Sequence, residues 1–523
     1  RALLACQAWH GATVGQVGLP GLALDQRGQG QPGRRWPRHD GRQSPPRRPG
    51  PVTPATGQRT GLCHSRRHAA PPTIRVTAPV AAPSNRALVR QILQLAAPTT
   101  ALSMLQVLAQ LVETVLAARQ GTAALAGWAV MLPFALLLAQ MSTGAMGGGV
   151  VSAVARALGG QRRDEASALV LHAMLIATGF GAVFAAGLLL GAGPLLRGVA
   201  GAEAEQAAWA YAAWLFGLGA IPAWWTNTLA SVLRGGGQHA LAARVLGLQW
   251  AAMPILGWLL AEPAGLGLAG LGLAFALSNV VAAAAMLRVV QQGRAGFHPA
   301  WRGRPTRALF VQILAVGAVA CGLATLANLT TVIVTAQLRH LGPAMVAAYG
   351  IAARLEFLVI PLAWGVGSAL TALVGRQVGA GDWVSARRTA WLGGTMALGA
   401  TALIGLSVGL AAPIFAGWFT PDTAVAALAA RALRYTGPAF GGFGLGMAMY
   451  FASMGARRMQ APVLAGLARL SIATVGGGLL AQTSALGTDG HFLGVALGIT
   501  AYGLITASGV RPAVWRMSRP ITS

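Results

Sequence analysis

The chain of 523 residues contains no lysine; all 39 of its basic residues are arginine. That excludes a phosphate loop with its lysine, a Schiff-base lysine and the β3 lysine of a kinase. Whatever drives this protein, it is not an ATPase module within this chain. Acids are also scarce. Asp and Glu together number 12, and charged residues make up 10% of the chain, against about 25% in a typical soluble domain. The three cysteines, Cys6, Cys63 and Cys321, are far apart and odd in number. They offer neither a disulfide framework nor a CxxC metal pair, and Cys321 reads as a small apolar residue in a helix. What remains is 55% hydrophobic with a mean hydropathy of +0.58. A chain so poor in polar surface is an integral membrane protein.

Residues 1–85 are different. They hold 12 of the 39 arginines, only Asp25 and Asp40 as acids, and Gly/Pro-rich runs such as "GQGQPGRRWPRHDGRQSPPRRPGPVTP". Such a segment buries too little apolar area to offset its ordering entropy, so disorder is expected. It reads either as a basic tail or targeting peptide, or as translated sequence upstream of the true start. The second is preferred, because no methionine precedes Met104. "CHSRRH" (Cys63 to His68) is read as chance in a disordered stretch, not as a metal cluster. No metal site is expected, and without a recognisable module no nucleic-acid partner is expected either.

From Ala87 onward, apolar segments of span length alternate with short arginine-bearing loops. A span needs about 20 apolar residues. The pattern predicts twelve helices, near 89–118, 123–158, 166–192, 205–233, 240–261, 265–291, 308–338, 343–377, 386–412, 424–455, 460–482 and 492–511. Twenty arginines fall at one set of helix ends; only Arg119, Arg197 and Arg339 fall at the other. The positive-inside rule then makes both ends of the membrane domain cytoplasmic, which requires an even number of spans. A multi-pass protein of the inner (plasma) membrane is expected.

The chain repeats itself. "ALVRQIL" (Ala87 to Leu93) matches "ALFVQIL" (Ala308 to Leu314), and "GTAALAG" (Gly121 to Gly127) matches "GPAMVAA" (Gly342 to Ala348) at the same offset. The second helices end in "ARALGG" and "GRQVGAG". The fold class expected is therefore all-α, with twelve transmembrane helices in two six-helix halves related by a parallel internal repeat. The predicted division is a lobe at 86–292, a cytoplasmic loop at 293–307, a lobe at 308–512 and a cytoplasmic tail at 513–523. Two packed halves with a site between them is a common transporter plan.

Only Glu113 and Glu356 lie deep inside predicted spans. An ionisable residue there is costly and points to function. Ser103, Gln106, Gln110 and Glu113 recur at helical spacing and share one face. Thr325, Asn328, Thr331 and Thr335 do the same in the seventh helix. Two such stripes on equivalent helices suggest the walls of one central cavity; helix–helix hydrogen bonding is the plainer alternative. Burial in a low-dielectric pocket favours a neutral carboxyl group, so Glu113 is a candidate proton carrier. For Glu356, ion pairing and function weigh equally. Trp128, Phe134, Tyr349 and Trp364 offer ring faces to a cationic or aromatic substrate, although packing is the commoner use of such rings. No HExxH, GxSxG or zinc pattern occurs in the membrane domain, and no enzyme is expected.

The stretches "VETVLAARQGTAALAG", "ARALGGQRRDEA", "NTLASVLRGGGQ" and "LGPAMVAAYGIAARLEF…VGRQVGAGD" resemble, in order and duplication, the multidrug and toxic compound extrusion (MATE) family. The likeness covers residues 87–512. It implies a two-lobed antiporter that exports small organic, often cationic compounds by alternating access, driven by proton or sodium entry, with no cofactor. Glu113, followed by Thr114, stands where the family usually has an acid of the cation-coupling site. The acids that many members carry in the seventh and tenth helices are missing, and the fifth helix offers Gln249 and then Met253. A proton therefore fits better than sodium. The expected coupling set is Glu113, Gln110, Gln249 and Glu356. The expected substrate cavity is Gln106, Asn328, Thr331, Tyr349, Phe134 and Trp128. The expected setting is a monomer in the lipid bilayer. The alternative is a lipid-linked precursor flippase, which would want a central arginine cluster; Arg354 alone is a thin version of one.

Overall fold

The computed structural model describes residues 84–199, 202–357, 359–483 and 485–515. The expectations for residues 1–83 and for the tail from 516 onward fall outside the described residues. Every regular element among the described residues is helical. They form twelve long helical stretches, with a short helix, Ala412–Gly417, between the ninth and the tenth: α1 (Asn85–Arg119), α2 (Thr122–Gly159), α3 (Arg163–Val199), α4 (202–235), α5 (His239–Ala261), α6 (Gly267–Gln291), α7 (Arg307–Arg339), α8 (Pro343–Gly379), α9 (Trp383–Leu410), α10 (423–456), α11 (Gln460–Thr483) and α12 (Asp489–Ser508). Ten are long and apolar enough to cross a membrane. The other two, α4 and α10, are broken into shorter pieces. In α4 a π-helical segment, Ala213–Leu218, interrupts the α-helix, and in α10 a 3₁₀ turn, Gly437–Ala439, does so.

The breaks follow local chemistry. Pro222, Pro361 and Pro438 sit in the first turn after an interruption, where a missing N–H costs little. Pro133 and Pro254 lie inside continuous helices. Two more π segments, Gln140–Ala145 in α2 and Ile472–Gly476 in α11, add a residue to a turn without any proline. Such bulges often mark functional positions.

On α1, Met104, Val107, Leu108, Leu111, Val112 and Val115 are exposed. They recur at helical spacing and form the apolar face that suits lipid. The polar stripe lies on the opposite side of the helix.

The first six helices form one lobe and the last six the other. The lobes join at the arginine-rich end, through the C-terminal halves of α2 and α8. Residues Met146 to Ala155 of α2 are all buried there. At the crossing, a Cβ on Gly159 would stand 2.0 Å from the Arg376 carbonyl oxygen. A Cβ on Gly379 would stand 2.1 Å from the Arg156 carbonyl oxygen. Only glycine permits so close a backbone approach. The contact is reciprocal because the two helices are repeat equivalents that run in the same direction, as a parallel repeat requires. The exchange extends further. Ile92 and Ala96 of α1 pack with Val366 and Leu370 of α8, while Ile313 and Val316 of α7 pack into the core of the first lobe.

Away from this end the lobes part. Near the middle of both helices, Asn328 Nδ2 of α7 donates to Gln140 Oε1 of α2 at 3.4 Å. Beyond it, residues Thr122–Ala139 of α2 pack on α4 of their own lobe. Residues Pro343–Phe357 of α8 pack on α10 and α7 of theirs. The arrangement is two lobes closed at the arginine-rich end and splayed at the other.

Candidate functional site: an ion-sized pocket around Glu113

Glu113 sits about a turn and a half before the end of α1 and points into its own lobe. The Tyr211 hydroxyl, from α4, donates to Glu113 Oε1 at 2.7 Å. Carboxylate and phenol look into a pocket of ≈ 60 Å³ between α1, α2, α4, α5 and α6, lined also by Gln106, Gln110, Asn227, Gln249 and Asn279. Leu132, Leu136, Leu215 and Phe275 close it with apolar surface.

The π segments help shape this pocket. The bulge in α2 carries Ser142 and Thr143; Thr143 lines the pocket and Ser142 Oγ accepts from Asn227 Nδ2 at 2.9 Å. The bulge in α4 follows Tyr211 and carries Leu215. Asn279 Nδ2 is spent on the Phe275 carbonyl at 2.9 Å. Gln249 is 8% exposed, and its Oε1 has no hydrogen-bond partner. A buried acceptor without a donor is costly, and this one sits at the pocket wall. Trp128 is buried beside Glu113 and Tyr211, and its indole N–H is likewise without a partner in hydrogen-bond geometry.

Volume decides what fits. A site of about 10–15 Å³ already holds one water, whereas an organic ligand needs about 300–1,000 Å³. At ≈ 60 Å³ this pocket has room for an ion or a little water and not for a drug-sized molecule.

Of the expected residues, Glu113, Gln110 and Gln249 of the coupling set and Gln106 of the substrate set all line this one pocket. Asn328 lies between the lobes on Gln140. The polar stripe of α1 lines the pocket inside its own lobe, while Asn328 of the α7 stripe lies between the lobes. The α1 stripe faces the interior of its lobe because α4, α5 and α6 pack over it. Phe134 packs against the first lobe's core. Thr331 Oγ1 turns back toward the Ala327 carbonyl at 3.5 Å.

Glu356 does not join the Glu113 pocket. It lies in the other lobe, in the last turn before α8 breaks. Arg469 of α11 donates to it at 2.8 Å, with both side chains mostly buried. Tyr349 and Thr331 stand close by, and the guanidinium lies 5.6 Å from the centre of the Phe443 ring. The partner is Arg469, which the sequence could not single out because it is 113 residues away in the chain. Removing one member of such a pair leaves an uncompensated charge. Arg469→Met is expected to cost about 3 kcal/mol of stability, and Arg469→Met with Glu356→Leu to recover most of it. Thermal unfolding of the purified variants measures both.

Sequence reasoning missed Tyr211, Asn227, Asn279 and Thr143. Tyr211 is one of only five tyrosines, and Asn227 opens the quoted stretch "NTLASVLRGGGQ". Their approach to Glu113 is a matter of tertiary packing, which spacing along one helix does not reveal.

Comparison with known proteins agrees with this architecture. The MatE family model matches residues 98–259 and 320–477, one segment in each half. A probable multidrug resistance protein NorM of Xanthomonas axonopodis pv. citri is 29% identical over 269 residues, 49% of this chain and 57% of that protein. This chain therefore spans little more than half the length of that relative. The fold is similar to that of a MOP superfamily transporter from Pyrococcus furiosus, with a TM-score of 0.74, 21% identity, and coverage of 82% of this chain and 96% of that one. It is also similar to a Vibrio cholerae MATE transporter, with a TM-score of 0.75, 21% identity, and coverage of 82% and 98%. Two matched segments in the two halves of one helical, two-lobed membrane fold leave one assignment: the chain belongs to the MatE family, the multidrug and toxic compound extrusion transporters.

Proposed function

We propose that this protein is a proton-coupled antiporter that exports small organic, often cationic compounds by alternating access. One observation carries the reading: a single carboxylate, held by a phenol, faces an ion-sized pocket inside one lobe of a fold whose lobes are closed at one end. In this splayed form Glu113 takes a proton from the open side. Protonation removes the charge that Tyr211 and the surrounding amides stabilise, which biases the lobe's packing and releases substrate. Reclosure at the splayed end and opening at the arginine-rich end then exposes the proton to the other compartment. Sodium would have to be held by one carboxylate and neutral amides, whereas a proton needs only Glu113. A flippase for a lipid-linked anionic precursor finds less support, because Arg469, the deep cation of the second lobe, is already paired with Glu356.

The test compares an imposed pH gradient with an imposed sodium gradient in proteoliposomes, with a dye-like cation as substrate. Transport under the pH gradient is expected. Transport under sodium alone would remove the proton reading. Tyr211→Phe loses one hydrogen bond to a charged group, worth about 1.5–3 kcal/mol. It should slow pH-driven transport about tenfold while expression and unfolding temperature stay near wild type.

A further inference from the structure

The arginine-rich junction is reciprocal in backbone but not in charge. Arg156 of α2 and Arg376 of α8 are repeat equivalents. Arg156 has partners on one side of its guanidinium, although its Nη2 is buried without one. Its Nη1 donates to Ser152 Oγ and approaches the Gly455 carbonyl at 3.4 Å. Glu165, paired with Arg162 at 2.8 Å, adds a nearby negative charge.

On the other side of the pseudo-two-fold both side-chain partners are missing. The counterpart of Ser152 is Ala372, and that of Glu165 is Ser385. Arg376 instead lays its guanidinium against Gly237, at the C-terminal end of α4, with Nη2 2.8 Å from where a Cβ would stand. Its Nε is buried and has no hydrogen-bond partner. Arg234, also at the end of α4, is 2% exposed and has no hydrogen bond or ion pair from its side chain among the described residues. His239 is 1% exposed and lies close to both arginines. Its Nε2 faces the Ser368 carbonyl at 3.4 Å, while its ring also stands near the Gly237 backbone without Nδ1 meeting hydrogen-bond geometry. No carboxylate among the described residues acts on Arg234 or Arg376. A buried guanidinium without a counter-charge, as at Arg234, is not stable by itself, and Arg376 beside it is half-buried.

We propose that Arg234, His239 and Arg376 hold a small inorganic anion of chloride's size, which bridges the two lobes. The site presents N–H donors without a competing carboxylate, as a halide requires. Arg234 and His239 come from the first lobe and Arg376 from the second, so the anion holds the arginine-rich end shut. A lipid phosphate has the same acceptor chemistry. Burial of Arg234 and His239 to 2% and 1% exposure favours the free ion. This site is independent of the Glu113 pocket, and its test does not rely on transport.

The experiment measures the unfolding temperature of the full chain in detergent, at constant ionic strength, with sodium chloride against sodium gluconate. Chloride is expected to raise it by roughly 3 °C or more, saturably, and bromide to substitute for chloride. The increment should vanish in Arg234→Met and shrink in Arg376→Gln. Equal unfolding temperatures in chloride and gluconate for the wild type overturn the proposal. So does an undiminished chloride increment in both variants. Stabilisation by phosphatidylglycerol but not by chloride assigns the site to lipid phosphate and overturns the halide. If Arg234→Met does not fold, bromide-soaked wild-type crystals decide: anomalous scattering beside Arg376 supports the site, and its absence there rejects it.

Discussion

Glu113→Gln is expected to lower pH-driven export by roughly a hundredfold or more while the protein inserts and unfolds as wild type does. An intramembrane acid with no spare neighbour has no substitute as a proton carrier. Glutamine has nearly the same shape, and its Oε1 still accepts the Tyr211 hydrogen bond that Glu113 accepts at 2.7 Å. The substitution therefore removes protonation and leaves packing. Glu113→Asp keeps the carboxylate but shortens it by one methylene, which stretches the bond to Tyr211; partial transport is expected. Uptake into proteoliposomes under an imposed pH gradient reads activity, and thermal unfolding reads the fold. Unchanged uptake by Glu113→Gln would remove the assigned role.

The second large effect concerns the junction. Gly159→Ala and Gly379→Ala each place a methyl group about 2 Å from a backbone carbonyl of the opposing helix. Backbone cannot rotate aside as a side chain does, so α2 and α8 must separate. Overpacking of this kind costs typically about 1–3 kcal/mol, and the cost falls only on the form whose arginine-rich end is closed. An added 2–3 kcal/mol shifts the balance between conformations roughly 30- to 150-fold. Labelling of a cysteine at Ser152, which is fully buried between the lobes, reports the shift in a background lacking Cys6, Cys63 and Cys321. Gly159→Ala should speed labelling by about tenfold or more. Equal rates would mean that the crossing does not hold the junction.

Much of the fold was legible because charge punctuates it. The predicted second helix, 123–158, corresponds to Thr122–Gly159, and the predicted seventh, 308–338, to Arg307–Arg339. In a chain with so few charges, each arginine cluster marks a helix end. The repeat likewise announced the two lobes through "ARALGG" and "GRQVGAG", whose glycines prove to be the crossing point. The interruptions were not legible, because a π bulge such as Gln140–Ala145 inserts one residue without changing composition. Of the site, Glu113, Gln110 and Gln106 followed from helical spacing. Spacing tells which residues share a face but not what stands opposite. Tyr211 is 98 residues from Glu113, so the hydrogen bond that defines the pocket was out of reach. The same limit hid Arg469 from Glu356, and it hid that α4, α5 and α6 pack over the α1 stripe.

The central claim is that one proton on Glu113 and the exported substrate exclude each other. Reciprocal linkage makes this measurable without a membrane. A dye-like cation is added to purified protein in weakly buffered detergent, near the pH at which transport is half-maximal, while binding and proton release are recorded together. The account predicts release of up to roughly one proton per substrate bound from the wild type and none from Glu113→Gln. Substrate binding with no proton release from the wild type, or equal release from the variant, would contradict it.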